Sequence, residues 1–328
     1  MIKQEINELK RLYTPSNCSI TRICGCYVDG EKNKKTEFKE AFLSLPEEEI
    51  FKYFELLRKT LSGSLGKNLL NLDFPLASEQ EGGTQAALLA LRDSKLKDDA
   101  LIEEFYDRVI NTYEYVGNYL ILLIHDAYDV PGKTTDGLTM DDASDTVFEY
   151  IMCCICPVNL SKPGLSYDNI NNEFHNRVRD WVVEMPETGF LFPSFNDRAT
   201  DIHSTLFYSK NPEEAHSEFV ENILGCTMPL SAGTQKEAFQ ALIEETLGDE
   251  VEYEVVKNIH ENLTEMIEEH KEIPEPLTLD KHQVKSLFEK SGVKEEKLTD
   301  FDKLYDAAAG EDTSLFVNNV ANVRTFEV

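Results

Sequence analysis

The sequence has no apolar run that approaches the ~20 residues needed to cross a bilayer. The apolar run at residues 119–124 has only the length of one strand and is followed by His125. The N-terminal residues, MIKQEINELKRLY, are charged and lack the apolar segment of a secretory signal. We therefore expect a cytoplasmic protein that makes no contact with a membrane.

Basic residues are scarce. The chain has 32 Lys and Arg and 61 Asp and Glu, which gives a net charge of −29. A nucleic-acid backbone is bound by a basic surface, so direct nucleic-acid binding is disfavoured. The acidic excess is uneven: residues 211–328 hold 27 acidic and 10 basic residues. Two interpretations stay open. In the first, the acidic residues form a solvated surface that keeps the protein soluble. In the second, they form a face that docks a basic protein partner or imitates nucleic acid.

Recognisable catalytic motifs are missing. The sequence has no G-x-S-x-G elbow and no three-glycine dinucleotide loop after a strand. Residues 127–134 resemble a phosphate-binding loop, but aspartates follow where a helix has to begin. His260 and Glu261 open like a zinc-protease helix, yet Thr264 occupies the position of the second histidine. The sequence therefore favours a non-enzymatic protein without a cofactor.

Seven cysteines in a cytosolic chain argue against a disulfide framework. Cys24 and Cys26 alternate along one predicted strand, and Cys154 and Cys156 along another. If those strands were neighbours, four sulfurs would converge as a tetrahedral zinc site. The alternative is that they are buried free cysteines, which pack as small apolar side chains. We adopt the alternative and expect no metal.

The order of predicted elements indicates an α+β fold, with a mostly antiparallel sheet and N-terminal helices followed by an acidic helical region. Strands are predicted at 20–28, 36–43, 118–130, 146–158, 177–184, 190–195 and 201–208. Helices are predicted up to 13, from Pro46, and over 85–115, 213–224, 234–247, 250–271, 280–290 and 295–308. The strands after 118 have no crossover helices between them, which predicts antiparallel pairing.

Three domains follow from this order. Residues 1–210 form the sheet domain, 211–272 the acidic helical region, and 277–328 a small C-terminal helical piece. That piece ends in a strand predicted at 323–328.

Residues 174–203 hold the densest group of ionisable side chains, which surround two apolar runs. Three of them are candidates for acid–base chemistry: His175, Asp201 and His203. Six more are candidates for binding a ligand or partner: Arg177, Arg179, Asp180, Trp181, Asp197 and Arg198. If their strands are adjacent, these Arg, Asp and His side chains converge. The alternative is a set of salt bridges and turn caps at strand ends.

The leading functional hypothesis is a cytosolic interaction or regulatory protein. It would hold a protein partner through the acidic helices or through the 174–203 surface. A hydrolase or nucleotide-handling enzyme is the first alternative, and it requires the residues at 175–203 to meet in one cleft. An acidic nucleic-acid mimic is the second, and it requires carboxylates spaced like phosphates along the C-terminal helices.

Several blocks of the chain are similar to a known family. They are ITRICGCYV, TLSGSLGKNLL, LRDSKLKDD, GNYLILLIHDAYDVP, CCICPVNLSKPGLSYD and WVVEMPETGFLFPSFNDRATDIH. On these blocks the chain resembles the bacterial family of domain of unknown function 4317 over nearly its whole length. The resemblance implies a bacterial cytoplasmic protein and carries over no functional residues. It also implies that the chain is a truncation or an ordered portion, because members continue past RTFEV. Members commonly have Arg where Cys24 stands, which weighs against the zinc site.

Overall fold

An antiparallel sheet covered by helices on both faces organises the first part of the chain. The computed structural model describes residues 1–133, 140–141, 146–214, 216–248, 252–311 and 313–321, with the backbone alone at 132–133 and 140–141. Two predicted features lie outside these residues. They are the strand at 323–328 and Thr134, the last residue of the segment that resembles a phosphate-binding loop. Within them, no helix combines the length and apolar character that a bilayer span requires.

The helices lie before, between and after the sheet strands. They are α1 (Lys3–Leu12), α2 (Glu47–Thr60), α3 (Leu76–Glu79), α4 (Thr84–Asp93), α5 (Asp99–Thr112), α6 (Ser217–Phe219), α7 (Ala232–Leu247), α8 (Tyr253–Glu269), α9 (Lys281–Lys290), α10 (Phe301–Ala309) and α11 (Val317–Val320). Short 3-10 turns cover Phe42–Ser44, Pro212–Glu214 and Glu295–Leu298, and a π-helical turn covers Val220–Leu224.

The strands include several short pairs outside the main sheet. They are β1 (Ile20–Val28), β2 (Lys34–Ala41), β3 (Leu69–Asp73), β4 (Asn118–Asp129), β5 (Gly132–Lys133), β6 (Met140–Asp141), β7 (Val147–Leu160), β8 (Gly164–Asp168), β9 (Glu173–Arg177), β10 (Trp181–Val183), β11 (Thr188–Phe192), β12 (Ser194–Asn196), β13 (Ala199–Asp201), β14 (Ser204–Ser209), β15 (Thr278–Leu279) and β16 (Leu315–Phe316).

The main sheet has the strand order β2-β1-β4-β7-β11-β14-β3, and β10 pairs with β7 beside β11. Its strand pairs are antiparallel. The two central strands, β4 and β7, pair from Asn118 opposite Val158 to Asp129 opposite Val147. The predicted α+β class with a mostly antiparallel sheet is confirmed.

Two hydrophobic cores lie on opposite faces of the sheet, because side chains alternate along each strand. On β4, Leu122 and Ile124 pack with α1 and α2, whereas Ile121 and Leu123 pack with α4 and α5. Burial on both faces explains why β4 and β7 are almost continuously apolar rather than alternating. A third core is built from residues 238–320, with Leu230 packed against it.

Packing groups the helices differently from the predicted domain bounds. The turn from Phe219 to Leu224 packs in the sheet's second core, although it was assigned to the acidic helical region. Helices on both sides of residues 273–276 share the third core. The predicted boundaries at 210 and 272 stay predictions, and the hydrophobic cores favour a single division near residue 229.

Candidate functional site

The predicted surface at 174–203 is divided between opposite ends of the sheet. Trp181 pairs with Leu160 at one end of β7, and Phe192 pairs with Ile151 nine residues earlier on the same strand. At 3.3 Å per residue, the two ends are about 30 Å apart. The candidate residues are therefore divided between these two ends of the sheet. One end holds His175, Arg177, Arg179, Asp180 and Trp181, and the other holds Asp197, Arg198, Asp201 and His203. These nine residues therefore do not all meet in one place.

The strand predicted at 177–184 is also interrupted. β9 ends at Arg177 and pairs with β8, whereas β10 begins at Trp181 and pairs with β7. The predicted strand at 177–184 is therefore not continuous, because Arg177 and Trp181 belong to different strand pairs.

The first end of the surface is an exposed arm, residues 160–185, that contains β8, β9 and β10. Every residue in it is exposed except Ser161 and Asp168, which are half-buried. Of the seventeen large apolar side chains that are exposed among the described residues, ten lie in this arm. They are Leu160, Leu165, Tyr167, Ile170, Phe174, Val178, Trp181, Val182, Val183 and Met185. Apolar side chains exposed together in this way are typical of surfaces that bind another molecule.

Local contacts hold the arm in a defined shape. The Arg177 guanidinium donates to the Lys162 carbonyl oxygen from Nε at 3.1 Å and from Nη2 at 2.7 Å. At the tip, the Asp168 carboxylate accepts the Ile170 amide at 2.8 Å. The rings of Tyr167 and Phe174 lie 5.0 Å apart across the hairpin. Arg177 therefore stabilises the base of the arm, which is a structural role.

One edge of β10 is open. On its inner edge, the Ser161 amide donates to the Asp180 carbonyl, and the Glu184 amide donates to the Pro157 carbonyl, both at 2.8 Å. In an antiparallel pair these bonds alternate, so the N–H and C=O groups of Trp181 and Val183 point away from β7. Within the described residues they meet no further strand. Trp181 thus presents both an open backbone edge and a side chain that is 57% exposed.

The second end of the surface is a tight turn that docks on α1. Asp197 and Arg198 join β12 to β13 with φ of 49° and 61°, the left-handed conformations of a two-residue hairpin turn. Arg198 Nη1 donates to Glu8 Oε2 at 2.8 Å, and its Nη2 donates to the Pro131 carbonyl at 2.8 Å. Glu8 also accepts the Tyr128 hydroxyl at 2.6 Å. Arg198 is therefore neutralised and fixes the turn in place.

Asp201 and His203 do lie near one another, beside Glu79. Asp201 accepts hydrogen bonds from Asn196 and Ser204 at 2.7 Å. Burial opposes its ionisation, but these bonds outweigh burial and hold the pKa of Asp201 below its ordinary value. His203 Nδ1 lies 2.7 Å from Glu79 Oε1, and this partner raises the pKa of the exposed imidazole. These contacts are a salt bridge and side-chain caps at a strand end.

A buried polar chain, which the sequence reasoning missed, crosses the first core. The Tyr150 hydroxyl donates to Asp126 Oδ2 at 2.7 Å and lies 3.0 Å from the Tyr13 hydroxyl. All three side chains are fully buried. Burial raises the pKa of the Asp126 carboxyl in spite of the hydrogen bond from Tyr150. The one sequence signal is that His125 and Asp126 interrupt an apolar strand that continues to Tyr128.

The two cysteine pairs lie on opposite faces of the sheet. Cys24 and Cys26 pack in the core beneath α4 and α5, and Cys154 and Cys156 pack in the core beneath α1 and α2. Their strands are not neighbours, because β4 lies between β1 and β7. Four sulfurs therefore cannot meet around one ion. Nor does the described part of the chain hold any group of three or more His, Cys, Asp or Glu arranged to bind a metal.

The comparisons identify a family. Among curated proteins, none matches the chain. A family model described as "Domain of unknown function (DUF4317)" matches residues 1–328, the whole chain. The chain belongs to the DUF4317 family, as the sequence blocks predicted.

Proposed function

We propose that this protein is an interaction protein that binds a protein partner through the exposed arm, residues 160–185. The observation that carries the proposal is the open edge of β10 beside the exposed side chain of Trp181. Trp is among the residues that contribute most to binding at protein interfaces. The ten large apolar side chains of the arm stay exposed even though two of them, Tyr167 and Phe174, contact one another.

The open edge indicates how the partner binds. An extended segment of the partner adds as a strand to β10, accepting and donating main-chain hydrogen bonds at Trp181 and Val183. The apolar side chains of the arm then cover the added strand. This is the recognition mode in which the backbone supplies affinity and the side-chain pockets supply specificity.

Charge supports a partner segment that is apolar and flanked by basic residues. The arm itself carries three basic residues and four acidic ones, which is near neutrality. The rest of the chain carries almost all of the −29 net charge. An approaching basic protein is therefore steered by the body of the molecule and held by the arm.

The experiment uses two variants of the arm. Val183→Pro removes a main-chain donor that points outward, and it keeps the bonds to β7 because those use Asp180 and Glu184. Trp181→Ala removes the central side chain. Leu76→Ala is the matched control, because Leu76 is 81% exposed and lies outside the arm.

The tagged full chain is used to isolate a stoichiometric protein from the cells that make it, and purified partner is then titrated against each variant. We expect both arm variants to weaken binding by about tenfold or more, at least ~1.4 kcal/mol, and the control to bind as the wild type does. Equal affinity for all three variants would remove the arm from the interface and end the proposal.

A further inference from the structure

A cleft of about 580 Å³ lies between the two parts of the molecule. One wall is α1 together with the loop after α2, and the other is the end of α8 with the segment that leads to α9. The volume is within the ~300–1,000 Å³ that is typical of small-molecule sites, and such sites favour junctions between domains. The arm does not contribute to this cleft.

Positive charge is concentrated in the cleft although the chain is strongly acidic. Its ionisable lining residues are Lys3, Lys10, His270, Lys271 and Glu275. Three lysines thus face one carboxylate, whereas acidic residues outnumber basic ones by 61 to 32 in the whole chain. The composition of the chain predicts an excess of carboxylates on any surface, but the cleft has an excess of cations.

Most of these cations lack a carboxylate partner. Lys10 Nζ donates to the Ser62 hydroxyl at 2.8 Å, and no ion pair engages Lys3 or Lys10 in the part of the chain that the structure describes. Lys271 does have a carboxylate partner, because its Nζ lies 3.4 Å from Glu268 Oε2. Partial burial and the nearby Arg58 and Lys59 lower the pKa of the Lys10 amine, so positive charge is crowded here.

The remaining lining is largely apolar. Ile6 and Leu61 are buried at the base, Leu65 and Ile267 are half-buried on facing walls, and Ile273 is exposed at the rim. His270 is held in place, because its Nε2 lies 2.5 Å from the Glu275 carbonyl. Apolar walls with a few cationic groups recognise a molecule that has an apolar body and a negatively charged head.

We propose that this cleft binds a small amphipathic anion, an apolar molecule that carries a carboxylate or phosphate group. The head group contacts Lys10 and Lys271, which come from the two opposite walls. The apolar body lies along Ile6, Leu61 and Ile267. Because the ligand contacts both walls, its binding stabilises the junction between the sheet and the C-terminal helices.

The experiment measures the full chain with the fluorescent anion anilinonaphthalene sulfonate, followed by competition with decanoate, decyl phosphate and the uncharged decanol. We expect decanoate or decyl phosphate to displace the dye, and the stronger competitor identifies the head group. Decanol is expected to compete at least tenfold more weakly. Equal competition by decanol would overturn the proposal, because the cations would then have no role.

Two variants locate the site. The double variant Lys10→Gln/Lys271→Gln is expected to weaken binding of the anions at least tenfold. The control is Lys97→Gln/Lys294→Gln, which makes the same charge change at exposed positions elsewhere. We expect the control to bind the anions as the wild type does. Ile273→Asp puts a carboxylate at the rim without altering a lysine, and the same loss is expected. If the dye and both anions bind these variants as they bind the wild type, or if the control loses binding equally, the cleft is not the site.

Discussion

The Tyr150 hydroxyl donates a 2.7 Å hydrogen bond to Asp126 Oδ2, and both side chains are fully buried. The same hydroxyl lies 3.0 Å from that of Tyr13, so three polar side chains from different elements meet inside an apolar core. A buried polar group costs free energy unless it is hydrogen-bonded, which makes Tyr150 the central member of this chain.

The first prediction concerns the hydroxyl of Tyr150. Tyr150→Phe leaves Asp126 Oδ2 and the Tyr13 hydroxyl without this partner, and we expect a loss of about 1–3 kcal/mol in the free energy of unfolding. Tyr106→Phe is the control, because the Tyr106 hydroxyl is buried without a hydrogen-bond partner among the described residues. That change is expected to be neutral or stabilising. Urea unfolding compares the two, and equal effects would contradict the role of Tyr150.

The second prediction concerns the pH dependence of stability. Burial raises the pKa of Asp126 in the folded protein above its ordinary 3.8, so the folded state holds the proton more tightly than the unfolded state. The contribution of Asp126 to the free energy of unfolding is therefore complete below pH ~3.8, and it is lost as pH rises through the raised pKa of the folded state.

Asp126→Asn removes this ionisation and can still accept the Tyr150 hydrogen bond. We expect the variant to gain stability over the wild type as pH increases from 4 to 8, by about 1.4 kcal/mol for each unit by which the pKa was raised. Unfolding in urea at several pH values measures the difference. A difference that is constant with pH would show that Asp126 titrates normally.

The third prediction separates the contacts of Arg198 from the strain of its turn. Both Arg198→Ala and Arg198→Gly remove the bonds to Glu8 and Pro131, which we expect to cost about 1–3 kcal/mol. Glycine tolerates φ of 61° where alanine does not, so Arg198→Gly should be the more stable of the two by about 1 kcal/mol. Thermal unfolding gives both values. Wild-type stability of Arg198→Ala would mean that the guanidinium does not fix the turn on α1.

The fourth prediction concerns thiol reactivity. Six cysteines are buried and Cys18 is half-buried. Burial raises the pKa of Cys24 to about 11 and that of Cys154 to about 12. Since the thiolate is the reactive form, we expect Cys18 alone to react measurably with dithionitrobenzoate in the native protein, and slowly, because burial raises its pKa too.

Cys18→Ser should remove that native reaction, and all remaining thiols should react after unfolding. Rapid native reaction in Cys18→Ser would contradict the burial of the other six cysteines.

The local parts of the fold could be predicted from sequence because their signals are local. The alternating run at Ile20–Val28 predicted β1 at its observed bounds, and the acidic turn after Pro46 predicted the start of α2. β3 was missed, since LLNLD is short and its pairing with β14 joins residues more than 130 positions apart. Strand order depends on such distant contacts, which periodicity does not encode.

The candidate site shows the same limit. Sequence proximity grouped Arg179 with His203, but the chain between them runs along the sheet and carries them to opposite ends. The polar chain was missed because Asp126 and Tyr150 meet only when β4 pairs with β7. Exposure of the arm was also hidden, since its apolar residues resemble those of a buried strand. Trp181, one of the six candidate binding residues, lies in this arm, and its role in binding stays a prediction.

The central claim is that the arm is the surface that binds a protein partner, and the fluorescence of Trp181 tests it most directly. The chain has a single Trp, and its side chain is 57% exposed in the arm. In the free protein we predict the red-shifted emission of an indole in water and ready quenching by acrylamide. Addition of the purified partner should shift the emission to the blue and protect it from the quencher, with a midpoint at the measured Kd. Saturating partner that leaves both the emission and the quenching unchanged would contradict the account.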